Sequence, residues 1–101
     1  AVNKHAQAYY GVFKKELPEV FAINDIQVQE KWTKLAFEVD CIIVKAVEEN
    51  SLNPQDIEKA VKTNLLPLLF TACREIGAGM NQVNLIVETI IQILRVGLMK
   101  S

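Results

Sequence analysis

Residues 24–50 decide the fold, and they read NDIQVQEKWTKLAFEVDCIIVKAVEEN. Apolar side chains recur along this stretch at steps of four and three residues, the spacing of a helix with one buried stripe. They are Val28, Trp32, Leu35, Val39, Ile42 and Ala46. Asn24 or Asp25 can cap the start, because a side-chain oxygen there accepts a free amide hydrogen of the first turn. The pattern predicts one long central helix against which the rest of the chain packs.

Residues 1–17 have the pattern of a first helix with an aromatic face. Its apolar positions are Ala6, Tyr9, Tyr10, Phe13 and Leu17. Asn3 is a candidate cap, and Gly11 in the interior indicates a close approach to another helix, because it has no side chain. Pro18 disfavours a helical conformation at the residue before it, so the helix is expected to stop there. Residues 18–23 then form a short helical turn.

A third helix is predicted to begin at Pro54, with Asn53 as its cap. Its expected buried stripe is Ile57, Val61, Leu65, Leu68 and Ala72. Pro67 lies inside this pattern and removes a backbone hydrogen bond, so we expect a kink or a break just before it. Residues 77–79, Gly-Ala-Gly, end the helix, with one glycine in the left-handed capping conformation.

A final helix is predicted from about residue 81 to residue 96, closed by Gly97. Its apolar stripe is Val83, Ile86, Val87, Ile90, Ile91 and Leu94. Short connections make neighbouring helices antiparallel. The chain, residues 1–101, is therefore predicted to be a single all-α domain, an up-and-down bundle of about four helices.

Composition supports a small helical domain and excludes several function classes. Half of the 101 residues are hydrophobic, and 11 basic residues nearly balance 12 acidic ones, which disfavours a strongly basic nucleic-acid module.

Cys41 and Cys73 are expected to be buried, reduced thiols. The sequence has neither an apolar run of the ~18 residues needed for a membrane span nor a signal-peptide pattern, so a cytoplasmic location is expected. Because the chain opens on Ala1 rather than Met, it is expected to be either processed or an excised fragment of a longer protein, and the lack of a targeting signal favours the fragment.

The sequence predicts no catalytic, cofactor-binding or metal-binding residue in this chain. His5 is the only histidine and has no second ligand at a suitable spacing. The glycines at residues 77–79 follow a helix and precede no Lys-Ser or Lys-Thr pair, so they do not form a phosphate-binding loop.

Aromatic residues are the remaining candidates for a binding surface. They are either core residues or an exposed patch for a partner, and they comprise Tyr9, Tyr10, Phe13, Trp32 and Phe37. Phe37 and Cys41 lie one position off the apolar stripe of the long helix, so this helix is apolar on a second side. Either the chain's own helices or a partner must cover that side.

Several stretches resemble the C-terminal helical region of the restriction (R) subunit of type I restriction-modification enzymes. Residues 6–17, AQAYYGVFKKEL, are similar to the family's A-x-Y-G-V-L-K stretch, and residues 36–43, AFEVDCII, to its A-x-E-I-D-x-I-I helix. Residues 65–70, LLPLLF, and residues 86–95, IVETIIQILR, continue the resemblance in the same order.

The resemblance implies a domain without chemistry of its own. The parent R subunit is an ATP- and Mg-dependent DNA translocase and endonuclease. Its C-terminal domain is thought to attach it to the methyltransferase and specificity subunits, and it meets DNA through the parent complex. Our first hypothesis is therefore an assembly domain that docks through Tyr9, Tyr10, Trp32 and Phe37.

Two other hypotheses remain open from the residues themselves. One is a freestanding helical adaptor or homodimer that uses the second apolar side of the long helix on itself. The other is direct DNA contact through phosphates, which the net charge of −1 does not favour. Its candidate residues are Lys14, Lys15, Lys31, Lys34 and Lys45.

Overall fold

The computed structural model describes residues 4–50 and 53–100, and all regular structure in these two ranges is helical. The all-α prediction is therefore confirmed. The helices, in chain order, are α1 (Lys4–Glu16), α2 (Pro18–Phe21), α3 (Ile26–Glu49), α4 (Pro54–Glu75) and α5 (Met80–Lys100). The predicted cap Asn3 lies outside the described residues.

Side chains and a glycine set the helix ends where the sequence indicates. The Asp25 carboxylate accepts a hydrogen bond of 2.9 Å from the Gln27 amide at the start of α3. The Asn53 side chain caps α4 in the same way, and Pro54 occupies the first turn. Gly77, at φ 76°, ends α4 in the left-handed conformation that a glycine adopts without strain.

The four long helices form a closed ring in which each one contacts two neighbours. α1 contacts α3, α3 contacts α4, α4 contacts α5, and α5 returns to α1. Neighbours are antiparallel, because residues early in one helix meet residues late in the next. Lys31 of α3 pairs with Glu75 of α4, and Glu58 of α4 pairs with Arg95 of α5. The bundle topology is confirmed, but α3 occupies one corner of the ring and α5 lies diagonally across from it.

The core fills the centre of the ring. Trp32 of α3 is 1% exposed and packs edge-on against Phe13 of α1, with ring centroids 5.0 Å apart. Phe21 of the short α2 packs on the same tryptophan at 6.2 Å, so α2 covers this end of the bundle. The predicted stripe of α5, from Val83 to Leu94, is buried in full.

Of the kink or break predicted at Pro67, the break is absent, because α4 continues through it. Pro67 and Thr63, which is four residues earlier, are both exposed. The missing hydrogen bond therefore lies on the solvent side, where water can satisfy the free carbonyl. Two other details, at Gly97 and Gly11, differ from the prediction. α5 continues past Gly97 to Lys100, and Gly97 is not in the left-handed conformation. An added Cβ at Gly11 would meet nothing within 4 Å, so no helix approaches closely there.

The buried stripes of α3 and α4 each differ from the prediction at one position, and most of their other members are buried as predicted. Ile43 is buried where Ile42 was expected, and Leu69 where Leu68 was expected. Cys41 is exposed, contrary to the prediction, whereas Cys73 is buried as predicted. Both thiols are free. Two apolar neighbours at a helix surface compete for the same core space, and spacing alone does not decide between them.

Candidate docking surface

The four aromatic residues predicted to bind a partner have different surroundings. Tyr9 is 3% exposed and Trp32 is 1% exposed, so both belong to the core and cannot contact a partner without unfolding. Their assignment to an exposed face is therefore wrong. Tyr10 is half-buried, and Phe37 is 41% exposed. Tyr10 and Phe37 remain candidates for a docking surface.

Tyr9 and Tyr10 differ because successive residues of a helix point about 100° apart. Tyr9 faces the ring centre, where the buried carboxyl of Asp40 is its electrostatic neighbour. Burial first, and then the negative charge of Asp40, raise the pKa of Tyr9 to about 12. Tyr10 lies at the edge of the core, and its ring meets Phe21 edge-on at 5.4 Å.

Tyr10 and Phe37 meet in an apolar groove between α1 and α3. The groove has a volume of about 170 Å³. It is lined by Ala6, Gln7, Tyr10, Thr33, Ala36 and Phe37. The small side chains of Ala6 and Ala36 leave room for an incoming group beside the two aromatic residues.

A wider groove lies on the other side of α3, where α3 meets α4. It has a volume of about 560 Å³. It is lined by Phe37, Glu38, Cys41, Ile42, Asn64, Pro67 and Leu68. Phe37 thus stands on a ridge between the two grooves, and no helix of the described chain covers it. The second apolar side of α3 is therefore open to solvent.

Sequence reasoning identified Phe37 and Cys41 as lying off the core stripe but missed the α4 side of this groove. Leu68 was assigned to the core, and Pro67 was considered only for its effect on the helix. The missing information was that Leu69, not Leu68, faces the core. Exposed Val44, three residues after Cys41, was also missed, although its spacing from Phe37 was a usable signal.

Ion pairs account for several of the charged residues, and they lie between helices. Lys31 pairs with Glu75, which ties one of the five candidate DNA-binding lysines to α4. Arg95 donates two hydrogen bonds to the Glu58 carboxylate, at 2.8 and 2.9 Å. These hydrogen bonds and the Arg95 charge hold the pKa of Glu58 below its ordinary value. Such pairs on an exposed surface add little stability.

Burial makes one of the two free thiols unreactive. Burial raises the pKa of the Cys73 thiol, which keeps it protonated and unreactive at neutral pH. Among the residues that the structure describes, no group of three or more His, Cys, Asp or Glu side chains is placed to hold a metal ion. None of the helices described is long and apolar enough to cross a membrane.

Comparisons with models of protein families, with curated proteins and with solved structures found no match to this chain.

Proposed function

We propose that this chain is a non-catalytic docking domain that attaches a larger subunit to its complex through the α1–α3 groove. The observation that carries the proposal is the meeting of Tyr10 and Phe37 in that groove, above a floor of two alanines. Aromatic anchors beside a small apolar pocket are the usual centre of a protein–protein interface. A partner side chain that fills the groove would release water from both rings.

We infer which larger subunit this is from where the stretches that carry the resemblance lie in the structure. Residues 6–17 and 36–43, which resemble R subunits of type I restriction-modification enzymes, supply five of the six residues that line the groove. On this proposal the chain is the C-terminal helical domain of such a subunit. Its partners are the methyltransferase and specificity subunits, and ATP, Mg and the endonuclease belong to the rest of the parent protein.

Thr33 offers a direct test, because it is exposed at the groove. Its hydroxyl donates a hydrogen bond of 2.7 Å to the carbonyl of Gln29, so it does not support the core. Thr33→Arg puts a long charged side chain into the groove. Binding of a purified methyltransferase–specificity complex, measured by calorimetry, should weaken at least about tenfold, which corresponds to about 1.4 kcal/mol.

Thr63→Arg is the matched control. Thr63 is also exposed in mid-helix, and its hydroxyl makes the same bond, 2.8 Å to the Lys59 carbonyl, on α4. This variant should bind as the unmodified chain does, and both variants should keep the helical circular dichroism spectrum. If Thr33→Arg binds the complex with unchanged affinity, the α1–α3 groove is not the docking site.

A further inference from the structure

The outer side of α3 carries a second helical stripe that faces solvent. Its residues recur at steps of three and four, the spacing of a coiled-coil seam. They are Lys34, Phe37, Cys41, Val44 and Glu48. All five are exposed, with Phe37 at 41% and Val44 at 47%. The three apolar members are central, and a charge of opposite sign stands at each end.

Two further charges flank the seam on its α4 side. Glu38 and Lys45 follow Phe37 and Val44 by one residue each, and both are exposed. The ion pairs found in the described part of the chain use other residues. Glu38 and Lys45, like Lys34 and Glu48, therefore form no ion pair within the described bundle. Acidic and basic residues therefore alternate along the stripe, as Lys34, Glu38, Lys45 and Glu48.

We propose that this seam binds a second copy of the chain, with the two α3 helices antiparallel and a two-fold axis near Cys41. An antiparallel pair about residue 41 brings together positions whose numbers add up to about 82. Lys34 then meets Glu48 of the other copy, and Glu38 meets Lys45. Each pair occurs twice, because a two-fold contact uses the same patch on both copies.

The charges select this orientation over a parallel one. A parallel pair would place Lys34 beside Lys34, Glu38 beside Glu38 and Glu48 beside Glu48, and like charges in contact weaken association. In the antiparallel pair, Phe37 and Val44 of opposite copies lie at the same level, on the α1 side of the axis. The same register therefore pairs the apolar residues at the centre and the opposite charges at the ends.

This surface shares Phe37 with the α1–α3 groove of the proposed function, because Phe37 lies on the ridge between them. The other residues of the seam lie outside that groove, so self-association depends on the outward side of α3. Because a single pair of helices buries a limited area, we expect a weak dimer with a dissociation constant on the order of micromolar.

A charge exchange tests the register. Sedimentation equilibrium, with reductant present, should show a dimer for the unmodified chain at about 200 μM. Glu38→Lys and Lys45→Glu should each weaken self-association at least about tenfold, since each puts two like-charged contacts into the interface. An equimolar mixture of the two variants should recover the dimer, because both contacts are then complementary. The double variant should recover it on its own.

Cys41 gives an independent test of the axis. Mild oxidation with diamide should link two copies through this exposed thiol, because its equivalents meet within the short distance that a disulfide spans. Cys73→Ser should still cross-link, since the Cys73 thiol is buried, and Cys41→Ser should not.

The outcomes separate the two proposals. A chain that remains monomeric at about 200 μM, or a dimer whose affinity is unchanged by Glu38→Lys, overturns the pairing. If Glu38→Lys weakens the dimer but the mixture of variants does not restore it, the proposed register is wrong. Thr33→Arg leaves the charges of the seam in place, and Glu38→Lys leaves the residues that line the α1–α3 groove in place, so the two variants test docking and self-association separately.

Discussion

Trp32 and Phe37 are both aromatic residues of α3, yet their replacement should have opposite consequences. Trp32 is 1% exposed and lies between the rings of Phe13 and Phe21. Phe37 stands on the ridge between two grooves and is exposed. We therefore expect Trp32→Ala to reduce the stability of the fold and Phe37→Ala to leave it nearly unchanged.

The size of the first effect follows from burial. Truncation of a fully buried tryptophan to alanine typically costs about 3–5 kcal/mol, including the cavity that remains. Each edge-to-face ring contact is worth roughly a further 0.5–1.5 kcal/mol beyond its buried area. Since Trp32 has two such contacts, we expect a loss of at least about 4 kcal/mol, a large part of the roughly 5–15 kcal/mol that stabilises a domain of this kind.

Phe37→Ala removes a side chain that keeps much of its contact with water in the folded chain. A fully buried Phe contributes about 1.5–3 kcal/mol, so a partly exposed one should contribute about 1 kcal/mol or less. The comparison between the two variants is robust, because both replace an aromatic residue with alanine in the middle of the same helix.

The assay is urea unfolding followed by far-ultraviolet circular dichroism. Fluorescence is unsuitable, because Trp32 is the only tryptophan. The free energy of unfolding comes from linear extrapolation, and similar slopes in all variants would show that the comparison is valid. A loss of less than about 2 kcal/mol for Trp32→Ala, or equal losses for both variants, would refute the placement of Trp32 in the core.

Three further predictions concern a cap, an ion pair and a buried phenol. Asn53→Ala should cost about 1 kcal/mol in urea unfolding, because the Asn53 oxygen caps α4. Glu58→Gln should cost less than about 1 kcal/mol at pH 7. Because Arg95 lowers the pKa of Glu58, that cost should shrink in urea titrations as the pH falls below about 4.5 and the carboxylate protonates. The pKa of Tyr9 is about 12, above its ordinary value of 10.0, so the unfolded chain loses this proton first and stability falls as the pH rises above 10. Tyr9→Phe should reduce that fall between pH 9 and pH 11, and an unchanged fall would contradict the burial of the phenol.

The helix boundaries were largely predictable, because caps are local. Asp25, Asn53 and Gly77 each act on backbone groups within a few residues, so the sequence around each one contains all the required information. Gly97 shows where this reasoning fails. A glycine ends a helix only if the following residues have no reason to remain helical, and Leu98 packs against the core.

Which apolar residues face the core was less predictable. The spacing of α3 permits both Ile42 and Ile43 on the buried stripe, and the position of α4 decides between them. The same ambiguity misplaced Tyr9 and Trp32, since an aromatic residue at helical spacing fits a core and a docking face equally well. Only the packing of α1 and α2 on α3 separates these cases.

The helix α3 has two apolar stripes, and only the inner one is explained by the fold. The inner stripe, from Trp32 to Ala46, packs against the ring, and the outer stripe, from Lys34 to Glu48, repeats the same three-and-four spacing on the opposite side. A stripe of charged residues alone would be explained by the solubility of an exposed helix surface. The outer stripe of α3 instead places Phe37 and Val44 between charges that are complementary only to a reversed copy of themselves, and this order follows from neither solubility nor packing within the bundle. The proposed contact with α3 of a second copy explains it.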